Sequence, residues 1–151
     1  MTTDMQQAFE TRVRNSYAAL NAKQFDVILA NWGEDGVQRC TGHHALGGER
    51  KGRHAISAWL QRAGRLMPNW RFDVENVWVT GTPDKADVLV RWTLTDLDPV
   101  GNPWHAHGMS YARFVDGKIV EQDLCLDSQA VAEAFAAKAK AGMEEAAAAP
   151  I

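Results

Sequence analysis

The stretch WHAHGMSYARFVDGKIVEQDLCLD, residues 104–127, holds two runs of alternating apolar and polar residues on either side of an Asp-Gly pair. Asp-Gly between alternating runs is typical of a two-residue hairpin turn, because both turn positions need a positive φ. Asp127 or Ser128 then offers a helix cap ahead of an alanine-rich segment, and Gly142 is placed to end that helix. The stretch therefore predicts a β-hairpin followed by a C-terminal helix.

The chain before this hairpin divides into a helical half and a strand half. Between residues 70 and 96 apolar and polar residues alternate, with a break at Glu75-Asn76 that indicates a β-bulge. Before residue 70 the apolar spacing is helical over residues 9–20, 25–32 and 56–67, with a short strand at 36–42 and a glycine-rich loop at 42–52. This order predicts an α+β fold, a curved antiparallel sheet with three N-terminal helices and a C-terminal helix on one face.

Length and charge favour one globular domain over residues 1–151, whose alanine-rich residues 136–151 form a helical tail. The 19 acidic and 16 basic side chains form no basic stripe, which argues against nucleic acid. No apolar run approaches the roughly 18 residues of a membrane span, and the acidic, amide-rich N-terminus is unlike a signal peptide. We expect a cytoplasmic protein in which Cys40 and Cys125 are reduced.

Three segments carry a family resemblance: YAALNAKQFDVILANWGEDGV at 17–37, GGERKGRHAISAW at 47–59, and the 104–127 stretch. Together they resemble the SnoaL-like, ketosteroid-isomerase-like branch of the nuclear transport factor 2-like superfamily, over about residues 8–135. The resemblance implies a cone-shaped, cystatin-like sheet and a deep apolar pocket between the sheet and the helices. It also implies a hydrophobic small-molecule ligand, no cofactor, and a homodimer through the outer face of the sheet.

The resemblance further implies positions for catalytic residues in the pocket. Cys40 stands where ketosteroid isomerases hold their base, and Gln38 matches a tyrosine that positions water in related epoxide hydrolases. Arg91 matches an arginine of those hydrolases, but Thr93 and Leu124 stand where both of their aspartates would be. The missing carboxylates argue against epoxide hydrolysis.

Arg91 is the most informative of these residues. If its side chain points into the pocket from a central strand, it must be paired or must serve a ligand, because an isolated buried charge is very costly. A salt bridge to Asp73, Asp96 or Asp123 is the alternative to a functional role.

His105 and His107 share one face of their strand, which is how some metal sites begin. No carboxylate or third imidazole follows at a suitable spacing, so we expect no metal site. The resemblance points Ala106 and Gly108 into the pocket and both histidines outward. A register shift of one residue would instead bring His107 and Asp123 inward as acid–base candidates.

His43, in the glycine-rich loop, is the preferred proton-transfer candidate, because we expect it at the pocket mouth and imidazole titrates near neutral pH. A solvated loop histidine is the alternative interpretation. We expect the residues that contact the ligand to be Tyr17, Trp32, Trp59, Trp70, Thr93, Trp104, Ala106, Gly108 and Leu124. For the aromatic members of this set, a plain core role is equally compatible with the sequence.

Two functions fit these expectations. The first is a small, cofactor-independent acid–base enzyme, an isomerase, polyketide-type cyclase or dehydratase, that acts on a hydrophobic cyclic substrate. Arg91 or Gln38 would stabilise oxyanion charge and His43 would move the proton. The second is a non-catalytic module for small-molecule binding or dimerisation, which the missing acids at Cys40, Thr93 and Leu124 suggest.

Overall fold

Four α-helices and six strands follow one another in the part of the chain that the structure describes, residues 3–151 of a computed structural model. In chain order they are α1 (Thr3–Asn21), α2 (Phe25–Ala30), β1 (Trp32–Cys40), β2 (Gly48–Lys51), α3 (Arg53–Leu66), β3 (Arg71–Thr82), β4 (Lys85–Leu97), β5 (Pro103–Val115), β6 (Lys118–Leu126) and α4 (Ser128–Lys140). A short 3-10 turn, Glu144–Ala147, follows. The predicted elements are all present in the predicted order, with β2 as an addition.

The strands form one curved, unclosed sheet in the order β2-β1-β6-β5-β4-β3, which confirms the α+β cone. Neighbouring strands are antiparallel except for β1 and β6, which run parallel. Those two strands are separated by about half of the chain, so no hairpin forces them to be antiparallel. Their pairing brings Gln38 opposite Gln122 and Cys40 opposite Leu124.

Two boundaries of the predicted elements are wrong. Gly48–Lys51, which we predicted to be part of a loop, form β2 on the edge of the sheet. Charged residues are typical of edge strands, and they hide the alternation by which a strand is recognised. Trp32, which we predicted to lie on the second helix, begins β1, because α2 ends at Ala30.

The local turn signals are confirmed. Asp116 and Gly117 both have positive φ, 47° and 76°, as a two-residue hairpin turn requires. The register of β3 against β4 shifts between Val74 and Asn76, at the predicted bulge. The carboxylate of Asp127 accepts a hydrogen bond from the Ala130 N–H at 3.1 Å at the start of α4.

The core lies between the inner face of the sheet and the helices. On β4, Val88, Val90, Trp92 and Leu94 are buried while the residues between them are not. Helices α1, α3 and α4 add their apolar stripes from the other side, so the helices cover the concave face. Within residues 3–151 no helix is both long and apolar enough to cross a bilayer.

Candidate functional site

A cavity of about 140 Å³ lies between the inner face of the sheet and the helices. Its walls are mainly apolar, with side chains from all four helices and from every strand except β2. Of the residues predicted for the pocket, the structure brings together Tyr17, Trp32, Gln38, Cys40, Trp59, Trp70 and Leu124 on this wall. Their contact with a ligand stays a prediction.

Arg91 and Thr93 do not face this cavity, so the prediction that they lie in the pocket is wrong. Alternation along β4 turns both side chains to the outer face, since the inner positions are taken by Val90 and Trp92. There the Arg91 Nε donates to Glu75 Oε2 at 2.8 Å, and the Thr93 hydroxyl donates to Glu75 Oε1 at 2.6 Å. The ion-pair partner of Arg91 is thus the glutamate at the bulge, not one of the three aspartates considered above.

His107 and Asp123 also lie on the outer face, as the unshifted register predicts. His107 Nδ1 is 3.2 Å from the Thr93 hydroxyl, and Asp123 accepts from Arg39 Nη1 at 3.2 Å. His105 lies beside them, with its Nδ1 3.0 Å from the hydroxyl of Thr95. His107 and Asp123 could act as an inward acid–base pair only in the shifted register, which the strand pairing contradicts.

Ala106 and Gly108 face inward, but neither belongs to the cavity lining. The Trp92 ring covers Gly108 so closely that an added Cβ would lie 2.4 Å from its Cη2 atom. Trp104 is half-buried and is likewise outside the lining, with an indole N–H that has no partner among the described residues. None of these three predicted pocket residues lies on the cavity wall, and at Gly108 the Trp92 ring forms the wall instead.

The neighbouring histidines of the loop differ in environment. His43 is exposed and lies in a separate groove between this loop, α4 and the C-terminal tail, so the prediction that it lies at the cavity mouth is wrong. His44 is buried, lines the cavity, and packs edge-to-face on Phe135 with ring centroids 5.6 Å apart. Consecutive side chains in a turn point in different directions, and the sequence does not say which of the two turns inward.

The hydrogen bonds of His44 define what its imidazole can do. Its Nδ1 accepts from the Leu46 N–H at 3.2 Å, which assigns the proton of the neutral ring to Nε2. No described residue is placed to accept a well-aligned hydrogen bond from that Nε2, which lies beside Gly42, although the Thr41 backbone is near enough to oppose the effect of burial on the pKa of the ring. Burial lowers the pKa of His44 below its usual range, so the ring is neutral at neutral pH and acts as a hydrogen-bond donor.

Gln38 belongs to a buried polar group that the sequence did not reveal. The Arg50 Nη1 donates to Gln38 Oε1 at 2.5 Å, and Gln38 Nε2 donates to Gln122 Oε1 at a long 3.5 Å. Gln38 and Arg50 are only 2% and 4% exposed. Arg50 was missed because its segment was predicted to be a loop, and only the pairing of Gln38 with Arg50 across β1 and β2 brings the two together.

A second polar group lies on the wall formed by α1, β4 and β5. The Ser110 hydroxyl hydrogen-bonds the Tyr17 hydroxyl and accepts from the Trp92 indole N–H at 2.9 Å. Burial raises the pKa of Tyr17 to about 12, and burial likewise raises that of the Cys40 thiol to about 12. Both groups are therefore protonated at neutral pH.

The cavity is an apolar space whose polar groups are mainly neutral donors, with the Arg12 guanidinium as a charged one. No aspartate or glutamate is among the described residues that line it. In residues 3–151 there is also no group of three His, Cys, Asp or Glu side chains arranged to hold a metal ion. The lining thus offers hydrogen bonds to an acceptor, and it lacks a carboxylate base.

Comparison with known proteins supports the fold. The SnoaL-like domain family matches residues 13–122, well over half of the chain. The comparison with curated proteins found no match.

Several solved structures share the fold of this chain over most of its length. Bal32a, from a soil-derived mobile gene cassette, superposes with a TM-score of 0.70 at 22% identity, over 81% of this chain and 92% of that one. A nuclear transport factor 2-like protein from Burkholderia xenovorans gives 0.65 at 21% identity, over 85% and 96%. TerC, co-crystallised with polyporic acid, gives 0.64 at 18% identity, over 81% and 93%. At these identities the likeness concerns the fold alone.

Proposed function

Because the chain belongs to the SnoaL-like domain family, we propose that it binds a hydrophobic cyclic small molecule inside the cone. The observation that carries this proposal is the mainly apolar cavity, whose wall offers hydrogen-bond donors, the Arg12 guanidinium among them, and no carboxylate among the described residues. An apolar ring would fill the space, and a carbonyl or hydroxyl oxygen on it would accept from the donors. No cofactor is part of this proposal, and the cytoplasmic location stays a prediction.

The size of the cavity suits a single ring. Its volume of about 140 Å³ is close to the roughly 150 Å³ of an engineered apolar cavity in another protein that binds benzene. The aromatic rings of Trp59, Trp70 and Trp92 form much of the wall, so a bound nitroaromatic compound would quench tryptophan fluorescence. TerC, of the same fold, was co-crystallised with polyporic acid, which supports a small-molecule ligand in this fold.

Two variants on neighbouring positions of β4 test the proposal. Val90→Phe fills the cavity, since Val90 is 4% exposed and lies on the wall, whereas Leu89→Phe adds the same bulk on the outer face. We expect saturable quenching by 4-nitroanisole in the natural protein and in Leu89→Phe, and at least about tenfold weaker binding in Val90→Phe. Thermal unfolding confirms that each variant is folded. Equal binding by both variants, or no saturable quenching at all, would contradict the proposal.

The second candidate function is the acid–base enzyme predicted from the sequence, and His44 is the observation that favours it. His44 lies on the cavity wall and its Nε2 has no well-aligned acceptor among the described residues, so its imidazole N–H could polarise a carbonyl and stabilise the enolate oxygen that forms when solvent water removes a proton from the adjacent carbon. The roles first assigned to Arg91 and His43 do not carry over, because both side chains lie outside the cavity.

Hydrogen–deuterium exchange at carbon tests this second function without knowledge of the substrate. We expect the protein to accelerate the exchange of carbon-bound protons of cyclohex-2-enone for deuterium in D2O, measured by proton NMR. His44→Phe should reduce this exchange rate at least about tenfold. His43→Phe, on the adjacent exposed residue, should leave the rate unchanged. An equal rate in the two variants would rule out His44 as the donor, and no acceleration by the natural protein would leave binding as the function.

A further inference from the structure

A second space, the groove between the 42–48 loop, α4 and the C-terminal tail, adjoins the cavity. It has a volume of about 520 Å³. Among the described residues, His44 is the only one that lines both the cavity and the groove. On α4, Val131 lines the cavity and the next residue, Ala132, lines the groove. At His44 a single side chain therefore separates the two spaces.

The groove is apolar, and its outer wall is held in place by contacts made away from it. Seven of the thirteen described residues that line it are alanines, and none is an aspartate, glutamate, lysine or arginine. Phe135, which is 1% exposed, also lines it. The tail that forms the outer wall is bound to α3, where Arg62 donates to the Ala149 carbonyl at 2.8 Å and Arg65 donates to Glu145 Oε1 at 2.7 Å. Such a groove suits an aliphatic chain, because it offers apolar surface and no charge.

His44 places a hydrogen-bond donor where the two spaces meet. Its side chain is 9% exposed, and its Nδ1 accepts from the Leu46 N–H, while its Nε2 has no well-aligned acceptor among the described residues. A Cβ built on Gly42, which lines the groove, would lie 2.6 Å from this Nε2, so the free N–H lies on the side of the ring towards the groove. A buried donor without an acceptor is costly, so an oxygen of a ligand at this point would be stabilising.

The cavity, at about 140 Å³, suits a single ring, so a chain attached to that ring has to lie outside it. We infer that the ligand is a ring joined to an unbranched aliphatic chain through a carbonyl group, with the ring in the cavity, the chain in the groove and the carbonyl oxygen at the Nε2 N–H of His44. This rests on the proposed binding function and names the ligand class. Passage of the chain requires the edge-to-face contact between His44 and Phe135 to open. A charged chain end would find no counter-ion among the described residues that line the groove.

The length of an acyl chain tests the inference, because 4′-nitroacetophenone and 4′-nitrohexanophenone share the ring and the carbonyl group and differ only in the chain. Burial of each added methylene strengthens binding roughly fourfold, so we expect the hexanophenone to bind the natural protein at least about tenfold more tightly by tryptophan quenching. Ala136→Phe fills the groove and should reduce this ratio of dissociation constants to below about threefold. Ala137→Phe, the next residue of α4, adds the same bulk outside the groove and should keep the ratio. Both positions are exposed, and thermal unfolding confirms that each variant is folded.

The place of the carbonyl group is tested with 1-hexyl-4-nitrobenzene, which has a methylene in its stead. His44→Phe removes the donor and should weaken binding of 4′-nitrohexanophenone relative to this hydrocarbon at least about threefold. His54→Phe, at an exposed position of α3 that lines neither space, should leave the ratio of the two dissociation constants unchanged.

The outcomes separate the inference from the binding function. If 4′-nitroacetophenone binds but the longer chain gives the same gain in Ala136→Phe and Ala137→Phe, the chain lies elsewhere and the inference fails alone. A lower mass of Ala136→Phe by light scattering, with the chain-length gain intact, would make the groove a contact between copies and would also overturn it. Equal ketone-to-hydrocarbon ratios in His44→Phe and His54→Phe overturn the place of the carbonyl group. If neither ketone binds, both proposals fail. A chain-length gain lost only in Ala136→Phe, with a ketone preference lost only in His44→Phe, establishes the inference.

Discussion

At the scale of single residues, two side chains of the same type acquire different chemistry from their surroundings. His43 is solvated, whereas His44 is 9% exposed and loses its ordinary basicity through burial. Arg39 and Arg50 also differ, since Arg39 lies in a network of carboxylates and Arg50 is bound to the wall of the cavity. Residue type suggested the chemistry in each case, and the direction of the side chain decided where it would act.

The thiol of Cys40 predicts how stability depends on alkaline pH. Burial raises its pKa from 9.0 to about 12, so the unfolded chain loses this proton near pH 9 while the folded chain keeps it. The stabilisation is complete below pH 9 and falls as the pH rises towards 12, by at most about 1.4 kcal/mol per pH unit. Urea unfolding between pH 8 and 10.5 measures the slope.

Cys40→Ala should flatten that slope, whatever its effect on stability at pH 8. Cys125→Ala, at an exposed position, should leave the slope as in the natural protein. Identical slopes for all three proteins would contradict the assignment to Cys40.

At the scale of elements, α4 is fastened to the sheet by a polar contact as well as by its apolar face. Lys138 and Asp96 are 5% and 0% exposed and form an ion pair beneath the helix. Lys138 also donates to the Leu66 carbonyl at 2.6 Å, and Asp96 accepts from the Asn69 N–H at 3.0 Å. The pair thus joins α4, the end of α3 and β4 at one point.

Breaking this pair should destabilise the fold strongly. Lys138→Met leaves the Asp96 carboxylate buried without its counter-ion, which costs about 3–5 kcal/mol. Lys140→Met, two residues further on the exposed side of α4, should stay within about 0.5 kcal/mol. Chemical denaturation measures both, and Lys138→Met combined with Asp96→Leu should recover part of the loss. Similar stabilities for the two single variants would contradict a structural role for the pair.

At the scale of the whole molecule, the two faces of the sheet have different properties. The inner face bounds the cavity, and its wall contains no carboxylate among the described residues. The outer face carries ion pairs such as Arg91–Glu75 and an apolar group at Trp78, Leu89 and Met109, which are 43%, 41% and 38% exposed. Trp78 and Leu89 are direct cross-strand partners, so the apolar group is continuous across β3 and β4.

We propose that this outer face forms a homodimer, as the family resemblance implies. Light scattering should give a dimer mass for the natural protein. Leu89→Glu would place a charge in the contact and should weaken dimerisation at least about tenfold. Val100→Glu, at an 81% exposed turn position, should not. A monomer mass for the natural protein, or equal dissociation by the two variants, would contradict this proposal.

The sequence by itself determined the elements and their order, apart from β2. Local spacing was enough to predict the turn at Asp116-Gly117, the bulge at Glu75, the cap at Asp127 and the alternation of β4. Each of these features depends on neighbours only a few residues away. The resemblance of three segments to SnoaL-like proteins gave the cone and most of the aromatic wall.

Only the tertiary structure decided the composition of the site. The β1–β6 pairing brought Gln38 to Gln122, β2 brought Arg50 behind them, and the loop turned His44 inward in place of His43. Arg91 was placed in the pocket because its residue type matched a family position, although alternation turns it to solvent. Contacts between residues far apart in sequence, and the side chosen by each side chain, depend on packing of the whole chain, and no local pattern encodes them.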